Sequence, residues 1–186
     1  MKIRHVPTLA WLCLAFAVPR LLEGAEPATL EVRVKDHREA IVDFSNLILN
    51  FDAILLSPKA GLKFWQTEWK SLAPAIPSVD LTKYTGKQSV SVFRGPISAG
   101  SFDAIHLKIK NVHGTLKKNS RSASVKNKVG PIKLAFDTGA HGDTVIILDL
   151  VVLDMSDHPP GGYELDLKGY ELYTNGKLVD KIPPGA

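Results

Sequence analysis

Between Ala104 and Phe136 the chain carries Lys108, Lys110, Lys117, Lys118, Arg121, Lys126, Lys128 and Lys133 with no acid among them. Directly afterwards, from Asp137 to Glu171, Lys168 is the one base against Asp137, Asp143, Asp149, Asp154, Asp157, Glu164, Asp166 and Glu171. Charge segregated in this way raises the local potential and draws a partner of opposite sign. The residues best placed for such a contact are Lys117, Lys118, Arg121, Lys126 and Lys128, set in a lysine-, serine- and asparagine-rich stretch polar enough to form a mobile loop. The chemistry they offer is anion binding, and lipopolysaccharide, teichoic polymer, nucleic acid or a lipid surface would each supply the charge. An anionic envelope polymer or a lipid surface is the expected partner, and nucleic acid is not. The plainer expectation is that basic and acidic strands lie side by side as solvated neighbours joined by cross-strand pairs.

Other chemistry has weaker support in the residues. His37, His106, His113, His141 and His158 are the imidazoles from which an exported metal site would be built. Asp36-His37, His141 near Asp143 and Asp157-His158 are adjacent pairs without a repeating ligand step, and His106 and His113 fall on neighbouring strand positions with outward parity. They read as surface histidines, with no metal site and no cofactor expected. Ser98, Ser101, Ser120, Ser122 and Ser124 sit in turns or polar sequence, and none stands in a Gly-x-Ser-x-Gly elbow. Phe64, Trp65 and Trp69, or Tyr163, Tyr170 and Tyr173, would make stacking platforms for sugars, but large aromatics more often supply core area. Asp149 lies within a nearly continuous run of Val, Ile and Leu, where a carboxylate is costly unless paired. A structural role is expected for it.

Strands must position these groups. Leu30, Val32 and Val34 alternate with Glu31, Arg33 and Lys35, the period-two signature of a half-buried strand. The same reading places strands at 45–56, 64–72, 88–93, 102–110, 112–117, 132–136, 144–153 and 163–173, with a short apolar pair around Asp80, a break at Gly169 and room for one helical turn near 80–86. The 144–153 run should be a central strand covered on both faces. No window of a dozen residues keeps a helical period. About eight or nine short strands at this spacing predict an antiparallel β-sandwich.

The order of these motifs resembles a family of secreted bacterial and archaeal modules known as domain of unknown function 4382. The resemblance rests on Leu30 to Lys35, Trp69, Asp80-Leu81, Pro96 with Ala99-Gly100, Ile105-His106-Leu107-Lys108-Ile109, and Leu148-Asp149-Leu150, spanning roughly residues 29–173. Phe102 and His106 depart from it, standing where the family's pattern suggests tyrosine and arginine. What the resemblance implies is a transthyretin-like or immunoglobulin-like sandwich in an envelope or surface setting. It implies no catalytic residues.

The setting is also written at the start of the chain. Lys2, Arg4 and His5 precede an apolar run from Leu9 to Val18, the layout of a secretory signal. Pro19 and Arg20 end the run well short of the roughly 20 residues a spanning helix needs. Cleavage near Ala25 is expected, leaving the chain periplasmic or extracellular and removing Cys13, the single cysteine. The net charge then falls from +4 to +2, so the strong basicity of the whole chain is partly that of its leader.

These readings combine into a signal at 1–25, one β-sandwich domain at 26–181 and a short proline-rich tail at 182–186, without a transmembrane segment in the mature chain. The expected role is a non-catalytic binding or structural module of the cell envelope. Anion binding through the Lys117 to Lys128 stretch is one alternative, and a secreted metal-dependent or hydrolytic enzyme is the other.

Overall fold

A computed structural model describes residues 27–59, 68–158 and 161–182 of the chain. The expected signal and its cleavage point, the Phe64 and Trp65 part of the aromatic platform, and the last four residues of the tail lie outside them. The described residues form an all-β structure of eleven strands: β1 (Pro27–Asp36), β2 (Phe44–Pro58), β3 (Lys70–Leu72), β4 (Ser78–Asp80), β5 (Val90–Ser98), β6 (Gly100–Leu116), β7 (Ser122–Asn127), β8 (Ile132–Thr138), β9 (Asp143–Asp154), β10 (Tyr163–Thr174) and β11 (Lys177–Ile182). Two short 3₁₀ turns, Ala40–Asp43 and Leu81–Lys83, complete it.

Alternation builds the elements as the sequence suggests. Ala28, Leu30, Val32 and Val34 turn one face of β1 into the core, and Ile105, Leu107 and Ile109 do the same for β6. In β9, Ile146, Leu148, Leu150 and Val152 are buried on one face while Asp149 and Val151 are buried on the other. That strand is therefore covered on both sides, with β1 and β10 as its neighbours. Buried side chains from both flanks of the sheet meet in one hydrophobic core.

Hydrogen bonding runs in the order β3-β2-β6-β7-β10-β9-β1-β5, with β4 added to β2, β8 to β6 and β11 to β10, in a sheet curled into a half-barrel. Its two ends approach each other. The Ala75 N–H after β3 donates to the Val92 carbonyl of β5 at 2.8 Å, and Lys70 Nζ donates to Ser98 Oγ at 3.4 Å.

Three features differ from expectation. The sheet is mixed, because β1 pairs with β9 and β7 with β10 in parallel. Eleven strands replace the eight or nine expected. Of the added strands, β11 is exposed at all six residues and β7 buries only Val125, so neither carries the alternation that marks a strand. Conversely, 102–110 and 112–117 merge into the single strand β6, and β5 runs on through Gly95 and Pro96. Pro96 is tolerated because β5 is an edge strand. Among the described residues, no helix is long and apolar enough to cross a membrane.

Candidate anion-binding site

Where β1 leaves the sheet, its last residue begins the construction of a cleft. Asp36 is fully buried, and its Oδ1 accepts a hydrogen bond from the Arg38 backbone N–H at 2.7 Å. Arg38 is thereby held at φ +74°, a left-handed conformation that costs a residue with a β-carbon about 1 kcal/mol. Its guanidinium lies over Gly86, where a β-carbon would stand 2.7 Å from Arg38 Cζ. The following turn, Ala40–Asp43, sinks Ile41 into the core and leaves Val42 60% exposed.

Phe44 anchors this turn from below. Its ring occupies the space that the missing side chain of Gly114 leaves on β6, and it meets the Tyr163 ring edge-on, with centroids 4.7 Å apart and planes at 69°. Tyr163 in turn donates its hydroxyl to Asp43 Oδ2 at 3.1 Å. Burial, then the bond to Asp43, pushes the tyrosine hydroxyl up from its ordinary value, so it stays a donor. From the other side, the loop between β6 and β7 docks on the turn through the Lys117 N–H, which donates to the Asp43 carbonyl at 2.8 Å. The loop closes with Ser120 N–H to Leu116 O at 3.0 Å and Arg121 N–H to Asn119 Oδ1 at 3.0 Å.

Between turn and loop lies an open cleft of about 470 Å³, lined by Val42, Asp43, Leu116, Lys117, Lys118 and Tyr163. A smaller hollow of about 230 Å³, bounded by Arg38, Phe44, Thr82 and Thr85, shares Val42 and Lys117 with it. The walls are apolar and the rim is cationic. Among the described residues this lining offers no carboxylate and imidazole set for a metal.

The five cations expected to bind together are divided by the fold. Strand β7 runs beside β10 with Lys126 opposite Glu164, and both Lys126 and Lys128 lie 3.8 Å from that carboxylate. For these two the cross-strand pairing expectation holds. Lys117 and Lys118 face the cleft, and Arg121 is exposed at the end of the loop that follows. Among the described residues, no carboxylate comes within 4.0 Å of Lys117, Lys118, Arg121 or Arg38. The expected mobile loop is also shorter than it looked, since residues 122–127 are strand.

Elsewhere, the histidines are scattered. His106 and His113 lie seven residues apart on the same strand, roughly 23 Å at the strand's rise, and burial holds the His106 imidazole below its usual range. Among the described residues, no three His, Cys, Asp or Glu side chains come together to hold a metal ion. Tyr170 is buried and donates to Asp180, Tyr173 donates to Glu171, and Tyr163 serves the cleft, so the three tyrosines form no common platform. Trp69 is 40% exposed. Asp149 stands 3.6 Å from Lys35 and 3.5 Å from His37 Nδ1, while burial pushes its carboxyl up against the pull of both.

Sequence reasoning missed Arg38, Val42 and Asp43 and offered Tyr163 only for a sugar platform; with Leu116 to Lys118 these residues come together from three distant stretches. A pattern within one stretch could not have found them. The residues that build the cleft, from Asp36 to Tyr163, all fall inside the part of the chain, residues 27–166, matched by a family model described as "Domain of unknown function (DUF4382)". No curated protein and no solved structure matches the chain.

Proposed function

The chain belongs to the DUF4382 family, whose description states no activity, and we propose from the chain's own geometry that it is an exported, non-catalytic module that binds an anionic envelope polymer or lipid surface. The observation that carries this reading is the contrast within one charge run: Lys126 and Lys128 share Glu164, whereas Lys117 and Lys118 line a half-apolar cleft and Arg121 ends their loop, with no carboxylate within 4.0 Å of the three among the described residues. Unpaired cations on a surface are the ones available to release counterions to a polyanion.

The leader supports export, since Lys2, Arg4 and His5 ahead of the Leu9 to Val18 run have a signal's layout. A binding role is supported by the kind of polar group in the cleft, which is cationic apart from a carboxylate and a tyrosine already bonded to each other. The closure of both sheet flanks on one core supports a sandwich-like description of the module.

Replacing Lys117, Lys118, Arg121, Lys126 and Lys128 together with glutamine tests the proposal. Retention on heparin and on anionic liposomes should fall and lose its salt dependence. Unchanged retention would sink the reading.

A further inference from the structure

The cleft is more selective than a patch of positive charge. Its apolar wall, formed by exposed Val42, Leu116 and the Tyr163 ring, continues inward beside Phe44, while Lys117 stands at the junction of the two hollows with Lys118 and Arg38 on either side. Among the side chains lining the two hollows these three are cationic and Asp43 is the one carboxylate, already bonded to Tyr163. The local balance is close to two positive charges, which complements the roughly −1.5 to −2 of a phosphate monoester. About 470 Å³ lies within the range of a small-molecule site and is too wide for a phosphate alone.

We infer that this cleft binds a single amphiphilic phosphate monoester, the phosphate seated by Lys117, Lys118 and Arg38 and the alkyl or acyl portion laid along Val42, Leu116 and Tyr163. The inference deepens the anion-binding reading and rests on it. Asp43 has a definite part in it: its carboxylate, oriented by Tyr163, opposes the incoming phosphate and limits affinity. Removing that charge should therefore tighten binding, which a purely structural role for Asp43 would not do.

The test titrates the purified protein with dodecyl phosphate below its micelle concentration, with inorganic phosphate, and with dodecyl maltoside as a neutral amphiphile of the same chain, by calorimetry and by amide chemical shifts. Dodecyl phosphate should saturate one site, shifting Val42, Lys117 and Tyr163. Inorganic phosphate and dodecyl maltoside should each bind at least about tenfold more weakly, because each lacks one half of the recognition. K117Q/K118Q and Val42→Asp, all at exposed positions, should each weaken dodecyl phosphate by about tenfold, and Asp43→Asn should strengthen it about threefold at low salt. Circular dichroism confirms that each variant is folded. Equal binding of inorganic and dodecyl phosphate, or dodecyl phosphate binding indifferent to Lys117, Lys118 and Val42, would overturn the inference. If no monomeric amphiphile bound while the lysine variants still lost heparin retention, this inference would fail and the polyanion reading would stand.

Discussion

Lys35 lies 3.6 Å from Asp149 and 3.1 Å from Glu171, and Lys181 reaches the same glutamate at 3.4 Å; Lys117 and Lys118, on the loop after β6, have no carboxylate within 4.0 Å among the described residues. The difference follows from register. Lys35 is the partner of Asp149 across β1 and β9, Glu31 of Arg94 across β1 and β5, Glu171 of Lys181 across β10 and β11, and Lys126 of Glu164 across β7 and β10. Strand pairing brings opposite charges together at the short range where they stabilise each other. Where the chain leaves the sheet, no neighbouring strand imposes a partner, and the charge stays available. The half-buried charged face of β1 thus belongs to the scaffold, and the Lys117 to Arg121 loop belongs to the surface proposed to meet an anion.

The comparison can be broken most severely at the point joining cleft to core. Phe44→Ala should cost about 4 kcal/mol in urea unfolding, because it removes a fully buried ring and the seat of Tyr163. A cost below about 1 kcal/mol would show that the cleft floor is not part of the core.

Next comes the scaffold's own network. Asp149→Ala leaves Lys35 and His37 without a carboxylate they now face, and should cost about 2 kcal/mol with anion retention unchanged. Retention lost without loss of stability would move Asp149 from scaffold to site.

Acid should affect the two kinds of carboxylate in opposite ways. Burial raises Asp36 from 3.8 to about 6, so its ionisation opposes folding above that pH, and stability is recovered as pH falls from about 7 toward 4. Glu31 and Glu171 behave otherwise. Burial would raise both, but Arg33, Ser91 and Arg94 around Glu31, and Tyr173, Lys35 and Lys181 around Glu171, hold them below 4.5. Their contribution is present above 4.5 and is lost on further acidification. The lowered His106 imidazole opposes the Asp36 effect below about 6.5, so the comparison is made against Asp36→Asn, in which the histidine contribution is common. Between pH 7.5 and pH 5 the wild type should gain about 1.5 kcal/mol more than the variant. Equal pH dependence would mean that Asp36 is not the group responsible.

The smallest effect is expected at the paired lysines. Replacing Lys126 and Lys128 with glutamine breaks exposed contacts of 3.8 Å to Glu164 and should change stability by under about 0.5 kcal/mol.

The scaffold was more legible in the sequence than the cleft. Strict alternation marked β1 and the first part of β6, and an apolar run around Asp149 marked the doubly covered β9. The expected glycine break in β10 is real: the register shifts between Leu167 and Gly169, where Gly169 lets the Ile182 carbonyl of β11 approach closer than a β-carbon permits. By contrast β7, Ser122–Asn127, hid in polar sequence because only Val125 is buried, and β11 has no buried face at all. Parallel pairing of β1 with β9 links residues more than a hundred positions apart, beyond any local pattern. The charge run led to the loop that lines the cleft. It could not separate Lys117 and Lys118 from Lys126 and Lys128, since that depends on which of them stands beside Glu164.

That separation is tested most directly by salt-gradient retention on anionic liposomes for two variants, one with Lys117, Lys118 and Arg121 replaced by glutamine and the other with Lys126 and Lys128 replaced. The first should elute at markedly lower salt than the wild type, while the second loses less per charge removed, because Glu164 beside Lys126 and Lys128 already offsets part of their charge and repels an anion there. Equal loss in proportion to the charge removed, or a larger loss in the second variant, would contradict the division of the charge run into scaffold and site.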